Sequence, residues 1–169
     1  MMRIGLISDT HIPRDADEIP SQVIEAFNGV DLIFHAGDIY TFQVLDELEN
    51  IAPVFAAEGN GDIWLPEDPR IKESHVLNLE GLRIGITHGL DYPEPSWRSL
   101  EEAMQAEFNG PVDVLVFGSS HKAMVETCKG VLLVNPGSPT LPMGLRKLGT
   151  VGILELNQGK AEASIIQLQ

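Results

Sequence analysis

Five short apolar runs in this chain end in the same way, and that repetition limits the fold more than any other feature. The first ends in Ser8-Asp9-Thr10-His11, the second in His35-Ala36-Gly37-Asp38 and the third in Gly59-Asn60-Gly61-Asp62. Two later runs end in Thr87-His88-Gly89 and Gly118-Ser119-Ser120-His121. Apolar runs of this length, bounded by turn residues, read as buried strands. In open α/β sheets ligands collect beyond the carboxyl ends of the strands. A chain that places Asp, His or Asn at five such ends is therefore expected to gather them into one site.

The segments between these runs alternate in kind. "IPSQVIEAF" carries Val23, Ile24 and Phe27 at helical spacing and stops at Asn28-Gly29. "TFQVLDELEN" reads as a helix with Thr41 as its N-cap. "SWRSLEEAMQAEF" places Trp97, Leu100, Met104 and Phe108 on one helical face. "HVLNLEGLRIGITHG" reads as two strands around Glu80-Gly81. Beyond His121 only strands and turns follow. Strands separated by helices come first and hairpins last, so an α/β sandwich is expected, with two packed mixed sheets and helices outside. Residues 1–169 suit one domain.

Composition narrows the chemistry. The net charge is −14, from 25 acidic and 11 basic residues. Such a chain repels nucleic acid and anionic membrane at long range, so stable binding to either is not expected. It also repels phosphorylated substrates, and a bound dication is the simplest local remedy. No apolar run approaches the ~20 residues of a membrane helix. Cys128 is the single cysteine, and Met1 to Ser8 does not fit a signal peptide, so a cytoplasmic location is expected.

Asp9 and His11 are two apart, which in extended backbone turns both side chains the same way. A carboxylate beside an imidazole suits Zn, Mn or Fe. Singly, each residue has an ordinary reading. Asn60 between glycines is a common turn residue, His88 could bond a loop, and His121 could be a surface histidine. Their joint occurrence, in order, carries the metal-site reading.

In these residues the chain resembles the calcineurin-like metallophosphoesterases, in particular their small bacterial and archaeal phosphodiesterases. The family pattern D-x-H, G-D, G-N, H-G, G-H-x-H corresponds to Asp9-Thr10-His11, Gly37-Asp38, Gly59-Asn60, His88-Gly89 and Gly118-Ser119-Ser120-His121. Val134 to Ser138 is similar to the family's closing loop, and the match runs over residues 3 to 138. The resemblance implies a four-layer α-β-β-α sandwich and two divalent ions (Mn, Fe, Ni or Zn) bridged by Asp38. Asp9, His11, Asp38 and His121 would hold the first ion; Asp38, Asn60 and His88 would hold the second. A metal-activated hydroxide would attack phosphorus, with Asp38, Asn60 and His88 at the reacting centre and Asn60 and Ser119 facing the substrate.

Two departures stand out. Ser119 replaces a histidine ligand, so the second ion is expected to bind more weakly. Gly61 stands where many members carry the histidine that protonates the leaving group, which favours activated leaving groups. His35 and Asp62 are expected to act from outside the ligand set. Arg14, Lys122 and Arg146 are candidate phosphate contacts, and Tyr92 and Trp97 candidate pocket walls. The expected partner is a small phosphorylated substrate, such as a nucleotide-like diester. The alternative is a catalytically weakened scaffold, since the same fold resembles the small subunit of the retromer complex.

Overall fold

The computed structural model describes residues 1–90 and 99–169. Its first sheet contains β1 (Met2–Ile7), β2 (Leu32–His35), β3 (Val54–Ala57) and β4 (Ile71–Lys72), all parallel in that order. On the other side of β1 lies β10 (Thr150–Asn157), antiparallel to it, followed by β11 (Lys160–Gln167), antiparallel to β10. The second sheet runs β5 (Ser74–Leu79), β6 (Leu82–Thr87), β7 (Val114–Val116), β9 (Val131–Asn135) and β8 (Met124–Cys128). Its centre, β6-β7-β9, is parallel, and hairpin partners close both edges.

Strand periodicity sorts the apolar residues into layers. Ile4, Leu6, Phe34, Leu154 and Leu156 of the first sheet meet Ile84, Ile86, Val114, Val116 and Val134 of the second, all fully or nearly fully buried. The intervening residues Ile7, Ile33 and Ile153 face the other way. They pack under α1 (Ser21–Ala26) and α2 (Phe42–Glu49) through Val23, Val44, Leu45 and Leu48. On the outer face of the second sheet, α3 (Leu100–Phe108) lays Leu100, Met104 and Phe108 on Leu115 and Leu133. Each such side chain contributes about 1.5–3 kcal/mol on full burial. The result is the expected order of helix, sheet, sheet, helix.

Local signals hold where they were legible. The Thr41 hydroxyl accepts from the Gln43 N–H at 3.4 Å, capping α2. α3 opens on a capping box of Ser99 and Glu102 and stops at Asn109 with φ 54°. The two-residue strand β4 and the 3₁₀ turn Pro142–Gly144 carry no sequence periodicity and are additions to the expected elements. Tyr92 and Trp97 lie outside the described residues.

The parallel strands β1 and β2 are locked at their carboxyl ends by a buried histidine. The Gly37 N–H donates to His35 Nδ1 at 3.2 Å, so the ring carries its proton on Nε2. That Nε2–H points to Thr10 Oγ1 at 3.1 Å, and the Thr10 hydroxyl donates in turn to the Asp38 carbonyl at 3.4 Å. Burial holds the His35 pKa down to about 3. The folded protein thus refuses a proton that the unfolded chain accepts below about pH 6.5. Stability linked to His35 is complete above that pH and is lost on acidification towards pH 3, by up to roughly 1.4 kcal/mol per pH unit. Denaturant titrations in EDTA should show this slope in the wild type and a flatter one in His35→Gln, the comparison cancelling the change in overall charge. Equal slopes would remove His35 from this role.

Candidate metal centre

The five polar strand ends meet at one edge of the sandwich. Asp9 and His11 follow β1, Asp38 follows β2, Asn60 follows β3, His88 follows β6 and His121 follows β7. Ligand atoms of Asp9, His11, Asp38 and His121 all lie within 4.8 Å of one another. This is the four-residue set expected for a first ion. Asp38 turns its two oxygens to different partners: Oδ2 is 3.1 Å from His11 Nε2 and Oδ1 is 3.6 Å from His88 Nε2. His121 Nε2 stands 3.4 Å from Asp9 Oδ1.

Each imidazole is oriented by its far nitrogen. His11 Nδ1 is 3.0 Å from Asp15 Oδ2, His88 Nδ1 is 2.7 Å from the Ala36 carbonyl, and His121 Nδ1 is 2.9 Å from the Leu141 carbonyl. All three acceptors are oxygens, so each Nδ1 must donate. With Nδ1 donating, each ring can offer its Nε2 lone pair on the side of the carboxylates, the tautomer a metal ligand requires.

Two atoms in this cluster, Asp9 Oδ1 and His11 Nε2, are buried without a hydrogen-bond partner. The other Asp9 oxygen is taken: Oδ2 accepts from the Ser8 hydroxyl at 2.6 Å and from the Ser119 N–H at 3.1 Å. Orphaned buried polar atoms cost about 1–3 kcal/mol each. Two of them aimed at one point, beside two carboxylates, fit a cation.

The electrostatics agree. Burial pushes the Asp9 pKa up, and His88, Ser8 and His121 only partly offset it. For His11, burial pushes down, but the Asp38 and Asp15 carboxylates outweigh it and raise the pKa. For Asp38, burial pushes up, yet His11, the Gly61 N–H and His88 hold it at about 2. A deeply buried carboxylate that resists ionising and an imidazole that gains basicity both mark missing positive charge.

The four clustered residues reach this geometry by turning, not by extension. Asp9, His11, Asp38 and His121 have φ of 54°, 49°, 58° and 56°. The expectation of an extended Asp9–His11 segment is therefore corrected. Left-handed backbone at non-glycine residues costs about 1–3 kcal/mol and persists where surroundings enforce it. The enforcement is visible. Asp9 N–H donates to Gly37 O at 2.9 Å and His11 N–H to Asp38 O at 3.1 Å. Ser138 Oγ donates to Asp9 O at 2.7 Å, and Thr140 Oγ1 to Thr10 O at 2.8 Å, so the loop after Val134 does close over the first strand end. Gly118 must lack a side chain, because a Cβ there would meet Ser8 Oγ and stand 2.8 Å from Asp9 Oδ2.

Asp62 works as a staple. Its buried carboxylate accepts from the N–H groups of Ile39, Tyr40 and Gly59, each at 2.8 Å, and joins the Asp38 loop to the Asn60 loop. Asn60 stands exposed at the tip of that loop, and the next N–H, of Gly61, donates to Asp38 Oδ1 at 2.8 Å. Ser119 is exposed at φ 69°, and the contact it makes with the cluster is through its backbone.

One residue of the site was missed. Asp15 sits in the acidic stretch "RDADEIP", whose composition suits a solvated loop that could line the site; it buttresses His11 and is itself held by Arg146 Nη2 at 3.0 Å. The available signal was the His-x-x-x-Asp spacing, which one turn brings together; the Asp15 N–H does donate to the His11 carbonyl at 2.7 Å. Arg14 donates to the Tyr40 hydroxyl at 3.1 Å, and the Tyr40 ring lies 4.8 Å from that of His11. His75 is structural, its Nε2 donating to the Ala56 carbonyl at 2.9 Å.

Comparison with known proteins gives the same picture. Residues 2–159 match the calcineurin-like phosphoesterase superfamily domain. A probable metallophosphoesterase of Methanothermobacter thermautotrophicus is 40% identical over 167 residues, covering 98% of this chain and 92% of that one. A phosphodiesterase of Methanocaldococcus jannaschii is 29% identical over 184 residues, covering 98% and 100%. A single mutant of Vps29 from Entamoeba histolytica shares the fold with a TM-score of 0.74 at 21% identity, covering 99% and 100%. Its low identity carries the fold alone. The domain match spans nearly the whole chain and its signature residues converge at one edge, so the protein belongs to the calcineurin-like phosphoesterase superfamily.

Proposed function

We propose that the protein is a metal-dependent phosphodiesterase, residues 1–169 acting as one cytoplasmic catalytic domain on a small, nucleotide-like diester. The observation that carries this is the set of three imidazoles whose Nδ1 atoms are tied off and whose Nε2 atoms face Asp9 and Asp38. Asp9, His11, Asp38 and His121 would hold one divalent ion; Asp38, His88 and Asn60 would hold a second. Bound there, divalent ions supply Lewis acidity and an activated water for attack on phosphorus.

The chain's own residues supply the rest. Asp38, kept ionised, offers one oxygen to each half of the site. The Gly61 and Ser119 N–H groups fix the Asp38 and Asp9 carboxylates. Asn60 is exposed at the loop tip, free to donate its amide to a phosphoryl oxygen. Ser119 is also exposed and would serve as a neutral substrate contact. No helix among the described residues is long and apolar enough to cross a membrane.

A scaffold reading is favoured by one observation, the exposed serine at 119 in place of a ligand. It leaves the strained, orphan-bearing ligand cluster without a purpose. Purified protein with Mn²⁺ should hydrolyse bis(p-nitrophenyl) phosphate faster than the monoester. EDTA should abolish the activity, Mn²⁺ should restore it, and Asp38→Asn should lower it by about 10²–10³-fold. Absent turnover, or turnover indifferent to chelator and to Asp38→Asn, would favour the scaffold.

The two halves of the site should load unequally. Mn²⁺ titration of apo-protein is expected to show one tight and one weak equivalent, with Ser119→His tightening the weak one. Histidine tolerates positive φ better than most side chains, so the exchange should fold. Asp15→Asn should weaken the tight equivalent by about 10–100-fold, read by competition with a chelating dye.

A further inference from the structure

A hollow of about 280 Å³ adjoins the metal centre, sharing His121 with it. Its apolar wall is the turn that carries Met143, Leu145 and Leu148, which are 73%, 58% and 37% exposed. Among the described residues its charged groups are Lys122 and Lys147, and no carboxylate lines it. In a chain with 25 acidic and 11 basic residues this is an uncommon patch of surface. Three other cations are engaged in ion pairs: Arg70 with Asp46, Glu49 and Asp68, Arg146 with Asp15, and Lys129 with Glu101. Among the described residues no acidic group pairs with Lys122 or Lys147. A larger hollow of about 500 Å³, lined by Glu58, Asp62, Glu67 and Asp68, would repel an anion.

The wall is tied to the metal centre. His121 Nδ1 donates to the Leu141 carbonyl at 2.9 Å, and the Met143 N–H returns to the His121 carbonyl at 3.1 Å. Gly149 N–H closes the loop onto Pro139 O at 3.0 Å. The hollow is thus preformed, with the candidate ligand His121 in its lining. Its volume lies just below the ~300–1,000 Å³ of typical ligand pockets, enough for one arm of a diester and not for a whole dinucleotide.

We infer that this hollow seats the far arm of the diester and selects an arm bearing a second phosphate on an apolar or aromatic body, as in a dinucleotide with a phosphorylated end. The inference rests on the phosphodiesterase reading for the scissile phosphate. Lys122 and Lys147 attract the second phosphate, and Met143 and Leu145 cover the nucleoside between the two.

Calorimetry on the Mn²⁺-loaded protein tests this without turnover. Adenosine 3′,5′-bisphosphate should bind about tenfold more tightly than adenosine 5′-monophosphate, since one more charge-assisted contact pair is made. Lys122→Ala/Lys147→Ala should erase that difference. Lys129→Ala/Lys160→Ala, which removes the same charge elsewhere, should keep it. Equal affinities in the wild type, a difference surviving in Lys122→Ala/Lys147→Ala, or its loss in the control pair would overturn the assignment. Failure of the underlying function shows separately, as absent hydrolysis of bis(p-nitrophenyl) phosphate.

Discussion

The structure turns on a deficit of positive charge around Asp9 and Asp38. The protein as a whole is strongly acidic, and it concentrates two carboxylates at the seam between its sheets. It then leaves one oxygen of Asp9 and one nitrogen of His11 buried without partners. Neutral chemistry does not repair such an arrangement, because each imidazole has already spent its proton on an outside acceptor. A cation does. Much else near the seam follows from holding that deficit in place: the staple at Asp62, the lock at His35 and the closure by Ser138 and Thr140.

The cost of this geometry is carried by the backbone. Asp9, His11, Asp38 and His121 sit at positive φ, and none of them is glycine. The glycines beside them serve the approach, as Gly118 does when it lets Ser8 and Asp9 come close. The layered core can sustain that cost. Phe34, Ile4, Leu6, Ile84 and Ile86 are fully buried between the sheets, so the strand ends hang from a rigid frame. Stability made in the core is thus spent at the edge, a common division between scaffold and site.

The sequence announced what repeats and concealed what occurs once. Strand ends with Asp, His and Asn recur five times, and that recurrence made the fold and the convergence of Asp9, His11, Asp38 and His121 legible in the sequence. Thr41 and the Ser99/Glu102 pair follow general capping chemistry and were equally open to reading or recovery. Asp15 was hidden because its stretch has no periodicity and acidic loops are ordinarily solvated. The left-handed turns at Asp9 and His11 were hidden because a two-residue spacing looks the same in either backbone. The His35 tautomer was beyond the sequence altogether, since it depends on which nitrogen meets Gly37 and which meets Thr10.

The two departures from the family pattern are not equivalent in physical terms. At Ser119 the side chain is exposed and the backbone contact to Asp9 is independent of it. A histidine there changes a side chain and leaves the frame alone. At Gly61 a Cβ would run into the Tyr40 ring, with the hydroxyl oxygen 2.6 Å away. Tyr40 in turn lies 4.8 Å from the ring of His11 and accepts from Arg14, so the space is claimed by a connected group. The missing histidine at 61 is therefore built into the packing, whereas the missing histidine at 119 is a single exchange on an intact scaffold. A protein that had simply lost its chemistry would be expected to show vacancies at both positions; here one is open and the other is filled by an aromatic ring against His11.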